Sequence, residues 1–231
     1  MEWRSFAEDM AQLARRLLAQ DSLQATLDEI AAAAVELIDG CEASGVLALR
    51  KGRAVTLAAT SDLVVESDRL QGELAEGPCF DAARRTHGDR MFRIADLSSP
   101  QPGWPRYAPA ARALGIGSMM GFLLYTDEQD FGALDLYSPR PDAFSRDSET
   151  AGWLLASHAA VALSSASTVD QLEHALESRH AIGEAMGILR ERHRLSEDDA
   201  FAVLRRISQN HNVKLREVAR TIRDDAPEER S

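Results

Sequence analysis

The chain has 231 residues and a formal net charge of −11, from 37 acidic and 26 basic side chains. Its length and 45% apolar content allow one medium domain and one small one. No apolar run is long enough to cross a membrane, and residues 1–9 do not resemble a secretory signal. With only two cysteines, the chain is expected to lack a disulfide framework and to be cytoplasmic.

The N-terminal two thirds begin with helical periodicity and continue with strand patterns. Residues 6–38 carry apolar residues at helical spacing, and Gly40 is a predicted stop. A long helix is predicted to start near residue 147 and to run beyond residue 168. Two hairpins are predicted between these helical segments, from residues 43–49 with 54–58 and from residues 118–125 with 131–137. Antiparallel strands with helices on one face of the sheet indicate an α+β sensor domain.

The C-terminal third is predicted to form three successive amphipathic helices, the first over residues 171–190. Ser196 is the expected N-cap of the second helix, whose apolar stripe includes Phe201 and Leu204. Asn212 is the expected N-cap of the third helix. Because such helices bury their apolar stripes against one another, a small all-α bundle is predicted.

Gly183 and Gly187 stand four residues apart inside the first of these helices. Each glycine costs roughly 1 kcal/mol relative to alanine in a helix interior. With Ala185 between them, they predict a face free of bulk on which a second helix packs closely. The alternative is that one glycine ends the helix, but apolar spacing continues through Ile188 and Leu189.

Three motifs follow one another at consistent spacing in this third of the chain. They are RHAIGEAMGIL at 179–189, S-x-x-x-A-F-x-x-L-R at 196–205 and L-x-x-V-A at 215–219. Over roughly residues 170–225 the chain therefore resembles the ANTAR domain of bacterial transcription antiterminators. The resemblance implies binding to hairpins of nascent RNA, which disfavours formation of a terminator.

The chain departs from the ANTAR pattern at Met186 and Arg190. The family often has lysine at the first of these positions and methionine at the second. Because the two positions share a helix face, either the positive charge has moved by one turn or RNA affinity is reduced.

Basic residues are concentrated in the same segment. Residues 179–223 hold ten Lys or Arg against six Asp or Glu, so an RNA backbone is attracted here and repelled elsewhere. For any single arginine a solvated helix face is an equally good explanation, and the acidic end of the chain is expected to be solvated. The predicted RNA-binding residues are Arg190, Arg205, Arg206, Gln209, Lys214, Arg216 and Arg220.

A second set of motifs occupies the N-terminal two thirds. These are EGPCFDA at 76–82, IADL at 94–97, WP at 104–105, GIGS at 115–118 and GALDLYSP at 132–139. Over roughly residues 20–165 they resemble a GAF domain, and more specifically the GAF domain that precedes ANTAR in many bacterial regulators. The resemblance implies a six-stranded antiparallel sheet with helices on one face and a pocket on the other.

Cys79 and Trp104 are the candidates for a ligand or redox site in this domain. A reactive thiol needs partial exposure and nearby positive charge, so the alternative for Cys79 is a small buried core residue. Aromatic core is the alternative for Trp104. No metal-binding or catalytic motif is present, so we expect no metal and no enzyme activity. The cofactor is unknown, and a small-molecule ligand in the GAF pocket is the open option.

The predicted architecture is an N-terminal helix (1–20), a GAF-like sensor domain (21–166) and an ANTAR domain with an acidic tail (167–231), joined by a long connecting helix. The predicted function is signal-responsive RNA binding that leads to transcription antitermination. A homodimer is expected, paired through an imperfect heptad seam that includes Leu155 and Ala162. The alternatives are a DNA-binding regulator and a GAF-type redox or ligand sensor whose C-terminal helices only dimerise.

Overall fold

This computed structural model describes residues 3–84, 90–127 and 129–224. Its contacts divide the chain into two compact units, Met1–Ser167 and Thr168–Ser231. The predicted acidic tail, from residue 225 onward, is outside the described residues.

The predicted helices and hairpins are present in the predicted order. The segment 6–38 is divided into two helices, and a long helix extends through the end of the first unit into the second. The elements are α1 (Trp3–Leu18), α2 (Leu23–Leu37), β1 (Ala43–Arg50), β2 (Arg53–Ala59), α3 (Asp62–Leu74), α4 (Pro78–Arg84), β3 (Met91–Ile94), α5 (Tyr107–Ala113), β4 (Ser118–Tyr125), β5 (Asp130–Ser138), α6 (Arg146–His193), α7 (Glu197–His211) and α8 (Leu215–Asp224).

The strands form one antiparallel sheet in the order β2-β1-β5-β4-β3. The described residues thus supply five strands where the family resemblance implied six. β1, β4 and β5 are buried along almost their whole length, because side chains on both faces of the sheet are covered.

One face of the sheet carries α1, α2 and the first part of α6. Leu13, Ile30 and Phe122 are fully or almost fully buried in this layer, and the Phe122 and Trp153 rings meet edge-on with centroids 5.6 Å apart. Leu155 is buried in the same layer, and so is Ala162. The predicted seam therefore does not pass through these two residues, because their side chains already belong to the domain core.

The opposite face is covered by the shorter helices α3, α4 and α5. These helices enclose a second apolar cluster that includes Leu47, Met119 and Tyr137. Several polar side chains, described below, are buried in the same layer. Among the described helices, none combines the length and the apolarity needed to cross a bilayer.

Candidate nucleic-acid interface

The second unit is a small bundle made by the C-terminal part of α6 with α7 and α8. The side chains that α6 contributes are four residues apart, so they lie in one row on the helix. Most of the core side chains are small, so the helices pack closely. The buried residues are Ala181, Ala185 and Leu189 of α6, Ala200 and Leu204 of α7, and Val218 and Ala219 of α8. The predicted all-α bundle is confirmed.

Ser196 caps α7 as predicted. Its Oγ accepts a hydrogen bond from the Asp199 backbone N–H at 3.2 Å and donates one to the Asp199 carboxylate at 2.6 Å. The prediction for Asn212 is wrong, because this residue ends α7 and does not begin α8. It adopts the left-handed conformation with φ 51°, which asparagine tolerates better than most residues at a helix C-terminus.

The seven predicted RNA-binding residues lie on all three helices of the bundle. All are exposed except Arg216, which is half-buried. Arg205 and Gln209 are one turn apart on α7, and Arg206 is three residues before Gln209, so these side chains occupy neighbouring positions on one helix surface. Arg190 lies on α6, Lys214 in the turn before α8, and Arg216 and Arg220 on α8.

Most of these cations have no acidic partner within the bundle. Of the seven predicted RNA-binding residues, only Arg220 forms an ion pair with a described residue. Its guanidinium lies 3.3 Å from the Glu177 carboxylate. Both side chains of that pair are about half exposed, so water screens the attraction and the pair stabilises the fold little. Arg205 and Arg206 are therefore available to anions without loss of an internal contact.

Phe201 lies outside the core stripe in which the sequence pattern placed it. Its side chain is 41% exposed, whereas Ala200 and Leu204 are fully buried and Val203 is half-buried. The pattern was ambiguous because Phe201 and Leu204 also stand at helical spacing. The observed stripe begins at Ala200 and leaves Phe201 at its edge.

Ala185 and the two neighbouring glycines face opposite sides of α6. Ala185 is fully buried in the bundle. Gly183 and Gly187 are each two residues away, and residues two apart in a helix do not share a face. Apart from the adjacent residues and the nearby backbone of α6 itself, no described heavy atom lies within 4 Å of the position that a Cβ would occupy on either glycine. The described residues therefore do not supply the close helix predicted at these glycines.

Replacing Gly183 and Gly187 with alanine tests whether another molecule packs on that face. In the structure described here, each substitution should raise the free energy of unfolding of the C-terminal unit by about 1 kcal/mol, because alanine favours the helix and meets no neighbour. Urea unfolding followed by circular dichroism measures the change. Ala185→Gly is the matched control and should destabilise. If the double variant is destabilised, a second chain covers the glycines.

Cys79 is the second residue of α4, in the first unit, and is fully buried. The Cys79 and Phe80 backbone N–H groups donate to the Gln71 side-chain oxygen at 3.0 and 3.2 Å. Burial raises the pKa of the Cys79 thiol well above its ordinary value, and nearby Asp135 and Asp68 raise it further. A buried, protonated thiol is a poor nucleophile, so the geometry favours a core role for Cys79.

Two carboxyl groups are buried in the same layer. Asp68 accepts hydrogen bonds from the Thr56 hydroxyl at 2.7 Å and the Tyr137 hydroxyl at 3.3 Å, and burial raises its pKa to about 6. Asp135 is completely buried beside the Cys79 thiol, yet neither carboxylate oxygen accepts a hydrogen bond of ordinary geometry. Burial raises the pKa of Asp135 well above the usual range. The sequence signal that could have identified Asp135 is an acid in the interior of β5, between two leucines.

Trp104 lines an open groove in the first unit. The groove has a volume of about 500 Å³, and its walls include Leu97, Ala108 and Arg112. The indole Nε1–H of Trp104 donates to the Asp81 carboxylate at 3.0 Å, which holds the half-buried ring in place. Cys79 does not line this groove, although it belongs to the apolar cluster against which Trp104 packs.

Two family models match this chain. A GAF domain model matches residues 20–164, which is more than half of the chain. This chain belongs to the GAF domain family. An ANTAR domain model matches residues 170–222, so the GAF domain is followed by an ANTAR domain. Both are regulatory domains, and an ANTAR domain implies RNA binding in transcription antitermination. No curated protein matches the chain.

Solved structures show the GAF fold at low sequence identity. The GAF domain of a phosphoenolpyruvate-protein phosphotransferase from Coxiella burnetii is 16% identical, with a TM-score of 0.56 over 74% of this chain and 99% of that one. Its counterpart from Acinetobacter is also 16% identical, with a TM-score of 0.53 over 72% and 98%. A Stigmatella aurantiaca phytochrome photosensory core module is 13% identical, with a TM-score of 0.62 over 87% and 44%. The chain spans less than two thirds of the phytochrome structures that it matches.

The ANTAR domain accounts for both departures from its family pattern. Met186 is half-buried and packs against the bundle core, where an apolar side chain is favourable. Arg190, one turn later, is exposed. In this chain the positive charge is therefore at position 190, which is the exposed one of the two positions.

Proposed function

We propose that this protein is a signal-responsive RNA-binding regulator that acts by transcription antitermination, with the GAF domain as input and the ANTAR domain as output. The observation that carries the proposal is a set of exposed cations on α7 and in the turn that follows it, Arg205, Arg206 and Lys214, which form no ion pair with any residue that the structure describes.

Charge distribution supports RNA as the partner. Residues 179–223 have a local net charge of +4 within a chain of net charge −11. A polyanion is attracted to this segment and repelled by the remainder, which favours one docking orientation. Guanidinium groups pair with phosphates and also stack on unpaired bases, so Arg205 and Arg206 suit a folded RNA with a loop.

The GAF domain is the proposed input. The groove beside Trp104 is open to solvent and large enough for a small organic molecule, and Arg112 gives it one positive charge. Cys79 is assigned a packing role because its thiol is buried. The redox-sensor alternative lacks an accessible thiolate at either described cysteine, since Cys41 is buried too.

A second copy of the chain is the proposed partner of α6. Within the first unit, Leu154 and Val161 are exposed and stand seven residues apart. Within the second unit, Val169, Leu172 and Leu176 are exposed at spacings of three and four. These are the spacings on which a neighbouring parallel helix packs. In this proposal a signal at the GAF domain changes how the two copies pair along α6.

Binding of the intact protein to RNA and to DNA tests the proposed function. The RNA probe is a pool of stem-loops with a constant stem and a randomised loop, and the competitor is duplex DNA with the sequence of the stem. We expect selection of tight RNA binders whose affinity falls steeply with salt, because each phosphate contact releases counterions.

Two other outcomes would separate the alternatives. Tighter binding to duplex DNA would replace the proposal with the DNA-binding regulator. Binding to neither probe would leave a sensor whose C-terminal helices only dimerise, and sedimentation of the same sample would then show the dimer alone.

A further inference from the structure

Phe201 is an unusual side chain for its position. Among the phenylalanine, tyrosine and tryptophan side chains that the structure describes, it is the most exposed, with 41% of its surface accessible. Tyrosine and tryptophan often keep a polar edge in water, but phenylalanine has no polar atom that would gain from exposure. The apolar surface of the Phe201 ring is therefore exposed and is not part of the bundle core.

The core of the bundle is complete without this ring. Ala200 and Leu204, immediately before it and one turn after it, are fully buried against Val218 and Ala219 of α8. Phe201 projects from the edge of the stripe, so its exposure follows from the helical register and not from a gap in the packing.

The surroundings of Phe201 on α7 are polar and partly cationic. Arg205 is one turn later and Gln209 two turns later, so the three side chains form a row along an exposed surface of the helix. Neither Arg205 nor Gln209 has an ion pair or side-chain hydrogen bond among the described residues. Glu197 and Asp198 lie one turn before Phe201 and repel a nucleic-acid backbone. The part of the row that attracts RNA is therefore its C-terminal part, at Arg205 and Gln209.

This combination fits an unpaired RNA base better than an apolar protein surface. A ring face stacks on any base, a guanidinium pairs with the adjacent phosphate, and a carboxamide reads a base edge. A protein partner that covers an exposed phenylalanine normally buries further apolar side chains around it. The row offers an arginine and a glutamine at those positions.

We propose that the Phe201 ring stacks on an unpaired base in the loop of the bound RNA hairpin, with Arg205 holding the neighbouring phosphate. The inference rests on the proposed RNA-binding function and adds the element that recognises the loop. Phosphate contacts alone position a hairpin, whereas a stacked base distinguishes a loop from a continuous duplex.

The test uses the full chain and a stem-loop selected by the unaltered protein from the randomised pool. Phe201→Leu keeps an apolar side chain but removes the ring face, and Phe201→Trp keeps a ring. We expect the leucine variant to bind about 5- to 100-fold more weakly and the tryptophan variant to bind within a few-fold of the original. Val65→Ala, at an exposed apolar position of the GAF domain, is the matched control and should leave affinity unchanged.

A second arm identifies the stacked base. Each loop nucleotide is replaced in turn by an abasic residue, and the position that matters for the unaltered protein should no longer matter for Phe201→Leu. 2-Aminopurine at that position should be quenched by the unaltered protein and not by the leucine variant. Sedimentation of Phe201→Leu should match that of the unaltered protein.

The possible failures are distinguishable. If the unaltered protein selects no stem-loop, the proposed function itself fails. If it selects one and Phe201→Leu binds that RNA equally well, only the stacking proposal is overturned. Equal loss of affinity for every abasic probe, or a changed oligomeric state, would also overturn it by showing a structural role for the ring.

Discussion

Replacing Arg205 and Arg206 together with glutamate is expected to lower the affinity of the protein for its RNA hairpin by at least about 100-fold at moderate salt. The two exchanges remove two cations and add two anions on one surface of α7, directly beside the proposed phosphate contacts. Both arginines are exposed and have no ion pair among the described residues, so the fold should be unaffected. Circular dichroism and thermal unfolding check that expectation.

The control for this variant must change net charge equally at another place. Arg50 and Arg53 flank the β1–β2 turn of the GAF domain and are also exposed. Their double exchange to glutamate should reduce RNA affinity only slightly, because the proposal places no phosphate contact on the GAF domain. Equal losses in the two variants would mean that α7 has no special part in binding.

Replacing Asp135 with asparagine is expected to stabilise the GAF domain at neutral pH by about 1–3 kcal/mol. In the folded protein the carboxyl group is buried between strands that carry Gly45 and Gly121 opposite it, without a hydrogen bond to either oxygen. Because burial raises the pKa of this carboxyl group, its ionised form is disfavoured in the folded state, whereas asparagine keeps the shape and carries no charge. Asp21→Asn, at an exposed position, should change stability by less than about 0.5 kcal/mol.

The effect of the Asp135 exchange should depend on pH. Because burial raises the pKa of Asp135 and Asp68, the folded state binds more protons than the unfolded state, and each group destabilises the fold increasingly as pH rises. For Asp68 the cost grows between about pH 4, where the unfolded carboxyl titrates, and about pH 6. The gain from Asp135→Asn should accordingly be larger at pH 7.5 than at pH 5 in urea unfolding.

A gain that does not change between these two pH values would contradict the account of Asp135. A loss of stability at both pH values would show instead that the carboxylate has a partner that the asparagine side chain does not satisfy.

Strong periodicity and motif order predicted the order of most elements, although the described residues form five strands where the resemblance implied six. The two hairpins, the long helix and the C-terminal bundle all appear where apolar spacing placed them. The faces of individual helices were harder to predict. Gly183, Ala185 and Gly187 look like one small-residue stripe in the sequence, but positions two apart point in opposite directions on a helix. Only the packing of α7 and α8 shows that Ala185 faces the core.

The candidate sites show the same limit. A sequence shows which residues could react or bind a ligand, but burial determines their protonation state and their accessibility. Cys79 is a plausible reactive thiol until the structure buries it beside Asp135 and Asp68, which raise its pKa. Phe201 was expected in the core because it stands three residues before Leu204. That spacing is compatible with a stripe that contains Phe201 and with one that begins at Ala200. Its exposure depends on which register fills the space against Val218 and Ala219.

We expect the surface formed by α7, α8 and the turn between them to bind folded RNA. Ultraviolet crosslinking of the intact protein to a selected stem-loop, followed by mass spectrometry of the peptides, tests it most directly. We expect ribonucleotide adducts on peptides from residues 197–220, with the Phe201 peptide among the strongest. Adducts confined to the GAF domain, or none from a sample shown to be folded and dimeric, would contradict the account.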